Sequence, residues 1–182
     1  MSVKTRYQAK VSGLWTRRHT LSLIGDDGPE HQGVLTVERK RGMVHQGTYR
    51  PEKGEVLFFR RDPGLLRSQF SLWTDGREWL GSSLRWSAFS RRVELSTGSK
   101  PLRLLPIEGL KMGWSLYAPK SGEVARFAYS PVSRTATLDV YRRLDFPLLL
   151  FGYFLGSQIY MESLLPGPEP AKVNAAAAAT AV

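Results

Sequence analysis

The sequence predicts a mainly β protein, about ten to twelve antiparallel strands forming a barrel around one hydrophobic C-terminal helix. Three observations lead there. Short segments alternate apolar and polar residues with period 2 and are rich in aromatic and β-branched side chains, as half-buried strands require. Turn signals separate them at short intervals, with no strand–helix–strand rhythm, so the sheet is antiparallel. A single long apolar run, LDFPLLLFGYFLGSQIYMES at 144–163, has helical length.

Tyr7, Ala9 and Val11 alternate and open the first strand. Alternation returns at 18–23, 33–37, 55–59, 68–73 and 78–80, then at 92–95, 102–104, 112–117, 123–129 and 135–141. Between these lie Gly25-Asp26-Asp27-Gly28-Pro29, Pro51-Glu52-Lys53-Gly54, Asp62-Pro63-Gly64, Thr97-Gly98, Lys120-Ser121-Gly122 and Ser130-Pro131. Gly and Pro there supply the backbone angles that turns need. Asp75-Gly76, between Trp73 and Trp79, predicts a two-residue hairpin of type I′.

Asp145 suits a helix N-cap, and Pro147 is tolerated in the first turn. Only Phe146 to Gly156 is free of polar side chains before Ser157, Gln158, Glu162 and Ser163 interrupt. A bilayer-spanning helix needs about 20 predominantly apolar residues, and a carboxylate in hydrocarbon costs a few kcal/mol. The run therefore reads as a core helix over about 146–163, with Phe146, Leu149, Gly152, Phe154 and Gly156 as its packing residues. The alternative is a tail-anchored membrane protein. Arg142-Arg143 before the run and Gly152-x-x-x-Gly156 within it would suit that reading. Residues 1–165 form one domain in this scheme. The Pro/Ala-rich segment 166–182 has no apolar face to bury and is expected to be a disordered tail.

A helix apolar on all sides must be covered on all sides, and here only strands are left to cover it. In that order of elements the chain resembles the tubby-like barrels, which include LURP-one-related proteins and phospholipid scramblases. The resemblance runs over about residues 5–165. It is carried by the closing segment, in which the strand at Leu138-Asp139-Val140 passes through Leu144-Asp145 into Phe146 and Leu148-Leu149-Leu150-Phe151-Gly152-Tyr153-Phe154. It implies about twelve strands around one helix, and a cytoplasmic binding module that touches anionic phospholipid at a membrane surface. The Cys-rich lipidation segment and an Asp/Asn-rich calcium loop are absent from this chain.

Composition narrows the chemistry further. The chain has no Cys, which excludes a disulfide scaffold, thiolate metal sites and thiol catalysis. The N-terminal residues lack an apolar signal core, so a reducing cytoplasm is the expected home, with a peripheral place at the membrane. The net charge is +10, and 18 of the 26 basic residues are Arg, the residue best suited to bidentate phosphate contacts. Arginines stand beside aromatics in several places. Arg17-Arg18 follow Trp15, Arg60-Arg61 follow Phe58-Phe59, Arg67 precedes Phe70, and Arg91-Arg92 follow Trp86 and Phe89. These seven arginines are the candidate phosphate- or lipid-binding residues. If strand alternation decides their direction, the aromatics point in and the arginines out. The same surface would serve a nucleic-acid-binding barrel, the alternative function, although no nucleic-acid motif is present.

No catalytic residues, metal ligands or cofactor are expected. His19, His31 and His45 lack metal-ligand spacing and read as surface or turn residues. Glu78 and Glu94 stand near Arg77 and Arg92, in ion pairs rather than acid–base roles. The protein is expected not to be an enzyme.

Overall fold

A computed structural model describes residues 2–13, 16–40, 43–62, 69–85, 92–98, 101–107 and 112–163. Its strands are β1 (Thr5–Ser12), β2 (Arg17–Gly25), β3 (Gly28–Lys40), β4 (Met43–Pro51), β5 (Leu57–Arg61) and β6 (Phe70–Thr74). They continue as β7 (Trp79–Leu84), β8 (Val93–Ser96), β9 (Leu102–Pro106), β10 (Gly113–Ala118), β11 (Gly122–Ser130) and β12 (Thr135–Val140), and one helix follows, α1 (Phe146–Ser163). Each strand pairs antiparallel with its sequence neighbours. β1 then pairs with β12, from Thr5↔Val140 to Lys10↔Thr135, and closes the barrel. The mainly β reading, the closure and the C-terminal helix are as the sequence predicts. The expected tail at 166–182 lies outside the described residues.

Alternation decides what fills the interior. Ala9, Leu21, Leu35, Val37, Phe59, Leu72, Leu95, Leu104, Leu116, Phe127 and Leu138 point inward and are fully buried. Onto them packs α1. It begins at the end of the barrel where Phe146 meets Tyr7 and Tyr49, with ring centroids at 5.3 and 5.7 Å, here called the lower end. Its first amide bonds, from Leu148 and Leu149, run to the Asp145 carbonyl at 3.0 Å, which puts Asp145 at the N-cap position. Residues 149–158 are all buried. Phe59 stacks on Phe154 at 4.8 Å and Phe70 meets the same ring edge-on at 5.2 Å.

Small residues make the fit. A Cβ added at Gly152 would come within 3.2 Å of the Phe127 ring, and one at Gly156 within 2.7 Å of Trp114 Cδ1. Gly47 on β4 does the reciprocal service, since a Cβ there would lie 2.8 Å from Phe154. No helix among the described residues is long and apolar enough to cross a membrane, and this one spends its apolar surface on the strands.

Two details depart from the sequence reading. β4 was not predictable by alternation: His45 is an extra residue where the register shifts opposite Glu38/Arg39, and Gly47 presents no side chain to mark the inward face. The Asp75-Gly76 hairpin is not type I′. Gly76 keeps a negative φ, Arg77 takes the left-handed conformation at φ 64, and Arg77 N–H bonds the Thr74 carbonyl at 3.1 Å. This is a type I turn closed by one left-handed residue.

Candidate anion-binding rim

Up-and-down connectivity sends the start of every even strand and the end of every odd strand to the same end of the barrel. That upper end, toward which α1 runs, collects Arg17 and Arg18 at the start of β2, Arg39 near the end of β3, and Arg60 and Arg61 at the end of β5. Arg85 just after β7, Arg92 just before β8 and Arg134 just before β12 complete the set. Of the candidates from the sequence, Arg67 and Arg91 lie outside the described residues, as do Trp15, Trp86 and Phe89. The other five, scattered over 76 positions of sequence, share this rim.

The arginine pairs straddle the barrel wall instead of pointing outward together. Arg18 and Arg60 are exposed, the latter over the Phe58 ring at 5.5 Å. Arg17 shares the inward face of His19 and Leu21, and Arg61 that of Leu57 and Phe59. Arg61 Nη1 donates to the Val44 carbonyl at 3.3 Å. The expected rule of aromatics in and arginines out therefore holds for Phe59, Phe70 and Arg60 but fails for Arg17, Arg61 and the outward Phe58 and Trp73. Arg39 and Arg134 join the rim without having been singled out. Arg39 was legible, because Leu35, Val37 and Arg39 share one parity. Arg134 was not, because a turn carries it.

On the barrel wall away from the rim, three arginines have carboxylate partners. Arg6 holds Asp139 at 2.6 Å across β1 and β12. Arg126 grips Glu123 through both oxygens at 2.8 Å, and this bonding together with Ser115 brings the Glu123 carboxyl below its usual range despite partial burial. Arg103 reaches Glu94 at 3.9 Å, so Glu94 is ion-paired as expected, with an arginine across the β8–β9 pair. Arg17, Arg18, Arg39, Arg60, Arg61 and Arg134 form no ion pair with a described residue. Among the described residues only Glu38, Asp62 and Glu94 stand at this end against these arginines, whereas Arg50, Arg77, Arg142 and Arg143 at the lower end share it with acidic turn residues such as Asp26, Asp27, Glu52 and Asp75, so net positive charge is concentrated at the upper end.

Beneath the rim sits His19, and here the sequence reading is corrected. His31 and His45 are exposed, but His19 is only 3% exposed, on the inward face of β2. Its Nδ1 lies 2.7 Å from Tyr153 Oη, and the two rings meet edge-on at 5.6 Å. Burial, reinforced by the Arg17 charge, lowers the imidazole pKa from 6.5 to about 4. Burial also raises the Tyr153 and Tyr129 phenols, which stay protonated.

A pH dependence follows. In the unfolded chain His19 takes up a proton below about pH 6.5, whereas the folded ring stays neutral down to about 4. Stability from this site is therefore full above pH 6.5 and falls between about pH 6.5 and 4, by up to about 3 kcal/mol. Urea denaturation at about pH 7 and pH 4.5 should show the wild type losing that much more stability than His19→Gln.

Two clefts lined by described residues lie at the lower end, on either side of Phe146. One, of about 240 Å³, is lined by Lys4, Tyr7, Arg142, Arg143 and Leu144 among others. The second, of about 390 Å³, is bordered by Tyr49, Lys53, Glu55 and Glu78. Among the described residues no three His, Asp or Glu side chains are placed to share a metal ion. The class defined is a closed twelve-stranded barrel filled by its own C-terminal helix and basic at one end. No protein-family model, curated protein or solved structure matches the chain.

Proposed function

We propose that this protein is a non-enzymatic binding module of the tubby-like kind, docking on anionic phospholipid at the cytoplasmic surface of a membrane through its upper rim. One observation carries the reading: arginines far apart in sequence gather at one end, and six of them, Arg17, Arg18, Arg39, Arg60, Arg61 and Arg134, form no ion pair with a described carboxylate. Such an end is attracted to a surface of negative charge, with about 1 kcal/mol gained per basic residue brought close. Arg60 over Phe58 and the outward Arg18 are the residues best placed for headgroup contact, because neither contributes to the core.

The test is co-sedimentation with phosphatidylcholine vesicles with and without phosphatidylserine. Binding should require the anionic lipid and weaken steeply above physiological salt, where the screening length falls below about 8 Å. Arg18→Glu with Arg60→Glu should weaken it at least about tenfold while leaving the melting temperature near that of the wild type. Equal binding to neutral vesicles, or tighter binding to RNA than to any vesicle, sinks the proposal.

A further inference from the structure

The inner side of the rim is built differently from its outer side. Arg17 and Arg39 both turn toward the barrel axis, and in each the Nε–H is shielded from solvent without a hydrogen-bond partner. His19 Nε2, deeper on the same face as Arg17, is likewise buried and unpartnered. The register brings these groups together. Arg17 stands opposite Val37 on β3, two positions before Arg39 on the same face. His19 stands opposite Val11, whose amide bonds the Arg134 carbonyl at 2.8 Å. Arg17 and Arg39 thus stand on neighbouring strands, and the exposed Arg134 stands before β12, with β1 between it and β2, so that with strands about 4.8 Å apart the three span about one quarter of the mouth.

We propose that Arg17, Arg39 and Arg134, with His19 beneath them, form a discrete site for a phosphate-type oxyanion inside the upper mouth of the barrel. Three cations close together without a carboxylate repel one another, and buried N–H groups without acceptors cost free energy. Both penalties vanish when one tetrahedral anion sits among them, because a guanidinium offers paired donors at the spacing of two phosphate oxygens. Arg17 already registers the strain: burial and the charges of Arg39 and Arg134 lower its pKa. In the tautomer whose Nδ1 accepts from the Tyr153 hydroxyl, the His19 proton resides on Nε2, a further donor for the same anion. The site deepens the membrane reading and rests on it only for the source of the phosphate, which is either a lipid headgroup or a free phosphate compound.

Inorganic phosphate is the probe, titrated into the full chain in chloride buffer at constant ionic strength and neutral pH. Saturable heat is expected in calorimetry, with a shift of the His19 imidazole resonances while those of His31 and His45 stay in place. Arg17→Gln with Arg39→Gln should abolish both responses, and should raise the melting temperature in phosphate-free buffer, since it removes two uncompensated cations. A purely structural role for these arginines would give a lower melting temperature instead. Failure of phosphate to move the His19 resonances, or an equal shift in the double variant, overturns the site. Sedimentation with phosphatidylserine vesicles separates this result from the broader reading. Vesicle binding without a phosphate response overturns the site alone. A phosphate response without vesicle binding supports the site, assigns it to a soluble phosphate and overturns the membrane reading. Displacement from vesicles by added phosphate supports the site and assigns it to the headgroup.

Discussion

Leu149→Asp is expected to abolish folding of the whole barrel. Leu149 is 2% exposed in the first turn of α1 to lie fully within the strands, and although it borders the cleft lined by Lys4, Arg142 and Arg143, its side chain is packed in the apolar core. An unpaired buried charge costs several kcal/mol, against a total stability of about 5 to 15 kcal/mol for an ordinary domain. The effect is global because the inward side chains of nearly all strands belong to one cluster with Leu149, Leu150, Phe151, Tyr153, Phe154 and Leu155. Expression of residues 1–144 alone should likewise yield an aggregated chain. Far-UV circular dichroism with a thermal melt checks both, and a soluble, cooperatively melting β protein from residues 1–144 would refute the role given to α1.

Gly156→Leu should be the more damaging of the two small-to-large substitutions at the helix glycines. The first carbon of the new side chain would already lie 2.7 Å from Trp114 Cδ1 and 3.2 Å from Tyr129 Oη. Neither ring has room to retreat, since Trp114 is only 4% exposed and Tyr129 stacks on Tyr153 at 6.0 Å. Overpacking of a dense core costs about 1 to 3 kcal/mol or more, and here the upper range applies. Gly152→Leu meets the Phe127 ring at 3.2 Å and should cost somewhat less. Urea melts of the two variants give the order, and a Gly156→Leu protein as stable as the wild type would show that the helix does not press against β10.

The architecture was legible in the sequence because its two signals are periodic and local. Alternation marks a strand wherever each residue chooses between core and solvent, and an unbroken apolar run marks a helix that has no solvent side. β4 escaped because a bulge at His45 breaks the period and Gly47 removes the side chain that would have continued it. The rim was only half legible. Arg17-Arg18 and Arg60-Arg61 drew notice as pairs, but alternation assigns the two members of a pair to opposite sides of the wall. His19 between Arg17 and Leu21 carried the same information and was read by residue type, which favours the surface, instead of by parity, which places it inside. What no local pattern supplies is convergence. That Arg134, Arg39 and Arg17 meet depends on which strands are neighbours and on closure by β1 and β12.

Closure by the first and last strands also sets when the protein can acquire its shape during synthesis. Arg6 and Asp139, paired across the seam, are 133 residues apart, and α1, which every strand needs at its back, is translated later still. Until then the nascent chain offers two unpaired strand edges and an inner face of bare Leu, Val and Phe, the features that template aggregation. Such a chain folds only once α1 has been synthesised, with high contact order and correspondingly slow kinetics. A ribosome that stalls before residue 146 therefore releases a polypeptide that lacks the helix its core is built on.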